Sequence, residues 1–157
     1  MIIIITGKIC SGKSVYTAAL REEYEARGVA VLVLELDAIG HEVLREVRGD
    51  EVDRAEVARL VFASEQELEK LERETHPRIM GEARTRSEQF LADNPDGVVL
   101  IESPLPLDVS EYPWLKQAQV QVLQESYEER RARARKRGMS AEQFELRDKA
   151  QRKYVYE

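Results

Sequence analysis

The chain has 157 residues, 43% hydrophobic and 34% charged, with a formal net charge of −6 and a pI near 5.2. That length holds one α/β domain with a proper core and little more, and the negative balance argues against a protein that coats nucleic acid. One cysteine excludes an internal disulfide framework and suits a reducing compartment, and no apolar run approaches the ~20 residues of a membrane span. The expectation is a cytoplasmic protein with no membrane partner.

Ile2 to Ile5 is an unbroken β-branched run and reads as a strand buried on both faces. It leads into Gly7-Lys8-Ile9-Cys10-Ser11-Gly12-Lys13-Ser14, which fits G-x-x-x-x-G-K-[ST] at every specified position. Val15 to Glu23 then suits a helix, so the motif has the strand–loop–helix context it needs. Gly7 and Gly12 let the backbone curl until successive N–H groups point inward, and the helix adds its positive end at the same place. Lys13 is expected to reach the β- and γ-phosphates of a nucleoside triphosphate, with the Ser14 hydroxyl on Mg²⁺.

Arg27-Gly28 ends this helix, and Val29 to Leu36 reads as a second buried strand. Glu35 and Asp37 lie at its carboxyl end, where α/β proteins hold ligands. Two readings of Asp37 are open by position: it faces the phosphates, or it caps the next helix. Helical patterns follow over Gly40–Arg48, Val52–Phe62 and Ser64–Thr75, the last with Ser64 and Glu67 at capping-box spacing. His76-Pro77 is expected to interrupt, because a residue before proline is pushed out of the helical region, and a further amphipathic helix runs from about Pro77 to Leu91.

After the turn signal Asp93–Gly97, Val98 to Glu102 reads as a third buried strand, with Ser103 to Leu107 as its loop. Gln119 to Leu123 alternates polar and apolar, which places it nearer a sheet edge. Ser126 to Arg137 is a helix dense in cations, Gly138-Met139 breaks it, and Ser140 caps another helix running to about Lys153. Strands alternating with helices imply right-handed crossovers and a parallel sheet covered on both faces. The fold expected is α/β, a three-layer P-loop arrangement with four or five parallel strands. The basic helix is read as a solvated face that aims a few arginines at phosphate, since it lacks the interleaved aromatics of a nucleic-acid surface.

GKICSGKS followed by LELDAIGHEVL (Leu34 to Leu44) resembles the dephospho-coenzyme A kinase family, in which a similar loop precedes an acid-x-Asp-x-x-x-His segment. Val52 to Pro77 resembles that family's helical coenzyme-binding insertion, ending in its His-Pro pair. Pro104-Leu105 is similar to its Pro-Leu-Leu stretch, with Asp108 where an acid is usual. Lys136 to Gln151 resembles its lid, with Arg133, Arg137 and Arg147 at arginine positions. The similarity implies one kinase domain over 1–157, with the insertion at about 40–92 and the lid at about 126–151.

The resemblance implies transfer of the ATP γ-phosphate to the ribose 3′-hydroxyl of dephospho-coenzyme A, with ATP and Mg²⁺ as cofactors. Lys13, Asp37 and Arg137 carry over as catalytic groups, residues 7–15 with Arg133 and Arg147 as the ATP cradle, and Ser14 and Glu35 as metal groups. His41, His76, Pro104 and Leu105 join Asp37 around the acceptor. An aspartate of ordinary acidity accepts a hydrogen bond from a sugar hydroxyl without a large shift. The lid arginines would balance charge spreading over the transferred oxygens and keep water out.

The chain departs from the family in four places. Glu35 stands for an Asp, the stretch between Arg48 and Val52 is short, and Pro106 replaces a leucine. Tyr154 to Glu157 falls where the family enters a last strand and its adenine-holding loop. Two alternatives accompany this expectation: a kinase for another small hydroxyl or nucleotide acceptor, and a nucleotide-binding protein without transfer activity. A monomer or weak homo-oligomer is expected.

Overall fold

The computed structural model describes residues 1–48 and 65–156. In chain order these form β1 (Ile2–Gly7), α1 (Lys13–Ala26), β2 (Val31–Glu35), α2 (Leu36–Arg48), α3 (Glu65–Asp93) and β3 (Val98–Ser103). Two short 3₁₀ turns, Val109–Glu111 and Pro113–Leu115, then lead to β4 (Gln119–Leu123), α4 (Tyr127–Lys136) and α5 (Ala141–Gln151). The helix expected over Val52–Phe62 and the Ser64 cap lie outside the described residues.

The strands are all parallel, in the order β2-β3-β1-β4. Because side chains alternate along a strand, an unbroken apolar run feeds two cores at once. Ile3 and Ile5, with Val98 and Leu100, pack on one face against Leu20 and Tyr24 of α1. Ile4, Leu34, Val99 and Ile101 pack on the other against Leu36, Ile39 and Val43 of α2 and Met80 and Ala83 of α3. The result is three layers, helix on sheet on helices.

Three boundaries differ from the sequence expectation. Leu36 belongs to α2 rather than to the strand, and α2 starts four residues before Gly40. Leu36, Ile39 and Val43 are all buried, and their i, i+3, i+7 spacing fixes a helix over this stretch. Asp37 therefore sits inside the first turn of α2, and not at its cap. Second, His76-Pro77 does not interrupt: α3 is one helix of 29 residues with Pro77 within it. The missing N–H and the ring's crowding of the preceding turn cost about 3 kcal/mol. Packing on both sides opposes that cost, through buried Thr75 and Met80 and the 2.6 Å hydrogen bond between His76 Nε2 and the Tyr112 hydroxyl. Third, α5 stops at Gln151, short of Lys153.

The edge position expected for β4 is found, and Gln119, Val120 and Gln121 are exposed there. The connection leaving β1 travels to one side of the sheet, to β2, while the connection leaving β3 travels to the other, to β4. The neighbouring carboxyl ends of β1 and β3 thus form a topological switch point, where such sheets open a crevice.

Candidate active site

The crevice begins with the loop after β1. Gly12 is the N-cap of α1 with φ 89°, a left-handed conformation that favours glycine, and a Cβ there would lie 3.2 Å from Arg133 Nη1. At Gly7 a Cβ would come within 2.7 Å of the Leu123 carbonyl of β4, so the loop leaves the sheet where no side chain fits. Cys10, buried, also has positive φ (59°). α1 has no side-chain cap, so the N–H groups of its first turn are oriented toward the loop without an acceptor from a capping side chain. A curled loop, an uncapped helix start and a lysine are the donor set that a polyphosphate requires.

Lys13 Nζ donates to the carbonyls of Gly7 (2.7 Å) and Lys8 (3.1 Å). Burial holds its ammonium below the usual lysine range, while Asp37 and Glu102 pull it back up. The same cleft, of about 550 Å³, is lined by Ile9, Cys10, Lys13 and Ser14 of the loop and helix start, Glu35, Asp37 and His41 from β2 and α2, and Glu102, Pro104 and Leu105 from β3 and its loop. Arg137, Met139, Arg147, Ala150, Gln151 and Tyr154 complete it. His41 reaches the cleft because it lies one turn after Asp37 on α2.

The oxygen ligands suited to a metal cluster on the α1 side of the sheet. Ser14 Oγ donates to Glu102 Oε2 at 3.3 Å. Glu102 is buried at the end of β3, directly across the ladder from Glu35 at the end of β2. Among the described residues there is no group of three or more His, Cys, Asp or Glu side chains able to hold an ion alone. One hydroxyl and one or two carboxylates nevertheless fit Mg²⁺, which keeps waters and takes further ligands from substrate phosphates.

Some expected residues stand apart. Arg133 does not line the cleft; its Nη1 donates to the Cys10 carbonyl (2.8 Å) and its Nη2 pairs with Glu125 (3.1 Å). The Val15 side chain points outward, 69% exposed, leaving only its backbone for the site. His76 lines a neighbouring cavity of about 670 Å³ with Arg73, Pro106, Leu107, Asp108 and Tyr112. That cavity shares Leu105 and Tyr154 with the cleft, so the two adjoin.

Glu102 and Gln151 were not singled out by the sequence reading. The signal for Glu102 is an acid ending a buried strand, VVLIE, whose final position lies beside the loop strand. Gln151, the last residue of α5, carries no comparable local signal.

A parallel α/β sheet with a G-x-x-x-x-G-K-S loop at its switch point, and acids from the start of α2 and the end of β3 acting on that loop's lysine, defines the class of P-loop phosphate-binding proteins. Among solved structures the chain is similar to the one titled crystal structure of TT1252 from Thermus thermophilus, with a TM-score of 0.67, 32% identity, and coverage of 96% of this chain and 80% of that one. The sequence pattern of the family described as dephospho-CoA kinase matches residues 1–154, and the chain belongs to that family. It is 32% identical to the dephospho-CoA kinase of Aquifex aeolicus over 94% of this chain and 78% of that protein. Identity is 34% to that of Symbiobacterium thermophilum, over 96% of this chain and 66% of that one. Against the dephospho-CoA kinase of Moorella thermoacetica, 31% identity covers 66% of this chain but only 54% of the relative's length.

Proposed function

We propose that this protein transfers the γ-phosphate of ATP to the ribose 3′-hydroxyl of dephospho-coenzyme A, the last step of coenzyme A synthesis. The observation that carries the proposal is the meeting of Lys13 and Asp37 in one cleft with Arg137 and Arg147. Family membership supports the acceptor. So does the adjoining cavity beside His76 and Leu105, which offers room for the rest of a long coenzyme.

In this reading the loop amides and Lys13 hold the β- and γ-phosphates in line with the acceptor. Ser14, Glu102 and Glu35 would hold Mg²⁺, which when bound neutralises charge on the β- and γ-oxygens. Asp37 accepts the hydrogen bond of the 3′-hydroxyl and takes its proton as the oxygen attacks. His41, on the same face of α2, fixes the ribose, and Pro104 and Leu105 form the wall against which the acceptor lies. Arg137 and Arg147 place positive charge where it is needed as the phosphoryl group moves, and the α4–α5 segment beside the loop shields the site from water. Arg133 acts through the loop, by holding the Cys10 carbonyl, rather than on phosphate directly.

Among the described residues no helix is long and apolar enough to cross a membrane. The proposed setting is the cytoplasm, with the protein a monomer or weak homo-oligomer. An ADP-release assay across acceptors tests the function: Mg²⁺-dependent turnover is expected with dephospho-coenzyme A. Turnover with adenosine phosphates but none with dephospho-coenzyme A would move the acceptor. Tight ATP binding with no phosphorylated product from any acceptor would remove the transfer activity.

A further inference from the structure

The outer limb of the phosphate loop is held by α4 and α5 and not by the sheet. The Ile9 N–H donates to Gln151 Oε1 at 2.7 Å, and the Ile9 carbonyl accepts from Arg130 Nη1 at 3.3 Å. Arg130 is itself paired with Asp148, one turn before Gln151 on α5. The neighbouring Cys10 carbonyl accepts from Arg133, and the Cys10 side chain is buried against Ala134 and Phe144. Arg137, the C-cap of α4, and Arg147, one turn before Gln151 on α5, both line the cleft. The loop limb and the cationic wall are therefore one packed unit.

Gln151 carries that unit across to the acceptor side of the cleft. While its Oε1 takes the Ile9 N–H, Gln151 Nε2 donates to the Pro104 carbonyl at 3.2 Å. Pro104 begins the loop after β3, whose Leu105 carbonyl is separately held by Thr6 Oγ1 (3.2 Å) and Ser103 Oγ (2.5 Å). A single half-buried side chain thus spans from the donor cradle to the acceptor wall, and both of its hydrogen-bonding ends are used. A glutamine suits this span: it offers an acceptor and a donor about 2.3 Å apart on one rigid plane, which neither a carboxylate nor an ammonium provides.

We infer that Gln151 is a positioning residue for phosphoryl transfer: its carboxamide fixes the spacing between the phosphate loop and the acceptor loop, so that the γ-phosphate and the attacking hydroxyl meet in register. The inference rests on the proposed kinase reading and assigns a residue which that reading does not use. Misplacement by about 1 Å at such a joint costs on the order of 10²-fold in rate. Loss of the joint also lets water compete with the acceptor, so ATP is consumed without product.

The experiment compares the full-length protein with Gln151→Ala and Gln151→Glu. It reads kcat, the KM for ATP and for dephospho-coenzyme A, ATP affinity by calorimetry, and ADP released per acceptor phosphorylated. Pro104 keeps its second hydrogen bond, from the Tyr156 hydroxyl at 2.7 Å, so the loop retains an anchor in both variants. Gln151→Ala is expected to lower kcat about 10- to 100-fold with ATP affinity changed less than about threefold, and to raise the ADP-to-product ratio above that of the parent. Gln151→Glu keeps an acceptor for Ile9 but cannot donate to Pro104, and is expected to fail in the same way. The inference is overturned if Gln151→Ala loses ATP affinity in step with kcat, if kcat and coupling are unchanged, or if Gln151→Glu restores parental turnover. A parent protein that phosphorylates no acceptor would overturn the kinase reading and this role together. An active parent with an unaffected variant would overturn this role alone.

Discussion

Arg130 and Asp148 form an ion pair at 2.8 Å in which each side chain is only 4% exposed, joining α4 to α5 behind the phosphate loop. Arg130 also lies over the rings of Tyr127 and Phe144, 5.8 and 5.7 Å from their centroids. Removing one member of a buried pair leaves the other uncompensated, which costs about 3–5 kcal/mol. Asp148 keeps the exposed Arg152 at 3.2 Å, so Arg130→Met is expected at the lower end, about 3 kcal/mol by urea unfolding. The double variant Arg130→Met, Asp148→Leu should recover most of the loss. Equal destabilisation by the single and double changes would show that packing, and not charge pairing, sets the effect.

Lys13 makes the site costly to fold. Its folded-state pKa is lowered, chiefly by burial, so between that value and the unfolded value the unfolded chain holds more protons. Stability attributable to this residue therefore rises with pH through that window, and the penalty is fully present below it. Urea unfolding without nucleotide, run from neutral pH to about pH 10.5, is expected to show the parent gaining on Lys13→Met as pH rises. Parallel profiles would mean that Lys13 is not desolvated in solution.

For catalysis, Lys13→Ala and Asp37→Asn should each lower kcat by about two orders of magnitude, the scale for loss of a preorganised electrostatic group. The two differ in binding: Lys13→Ala weakens ATP, whereas Asp37→Asn leaves ATP affinity near that of the parent. Near-full turnover by Asp37→Asn would assign the proton to another group.

Glu102 predicts a metal phenotype. In Glu102→Gln the Ser14 hydroxyl keeps a hydrogen-bonding partner, but the buried carboxylate is gone. The Mg²⁺ concentration for half-maximal activity should rise at least about 10- to 100-fold, the scale at which even groups that only support a metal's ligands act. Glu35→Gln, at the exposed position across the ladder, should shift it less. Reversal of that order would exchange the roles of the two acids.

The architecture was legible because β1 to β3 are short, uninterrupted apolar runs, and the loop motif fixes where a ligand must sit relative to them. Leu36 was misread because an apolar residue adjoining an apolar run fits a strand locally, and only its distant companions Ile39 and Val43 reveal the helical period. Pro77 was misread because local backbone preference is a small term beside the packing of a long helix. That Lys13, Ser14 and Asp37 share one cleft was legible from the motif and from the place of Asp37 just after a strand. The resemblance puts Arg133 among the arginines of the ATP cradle, and what sequence does not show is that Glu125 and the Cys10 carbonyl engage it. Gln151 was invisible because its meaning lies in two partners, 142 and 47 positions away.

The ladder register has a consequence for the chain as it is synthesised. β1 pairs with residues near 99–103 and 119–123, and β2 pairs only with β3, so the first two strands never bond to each other. At roughly 5–20 residues per second on the ribosome, the Ile2–Ile5 segment waits several seconds for its first sheet partner. The cleft is thus assembled only once β3 and β4 have been made, and until then the most apolar stretch of the chain is a natural client for chaperones.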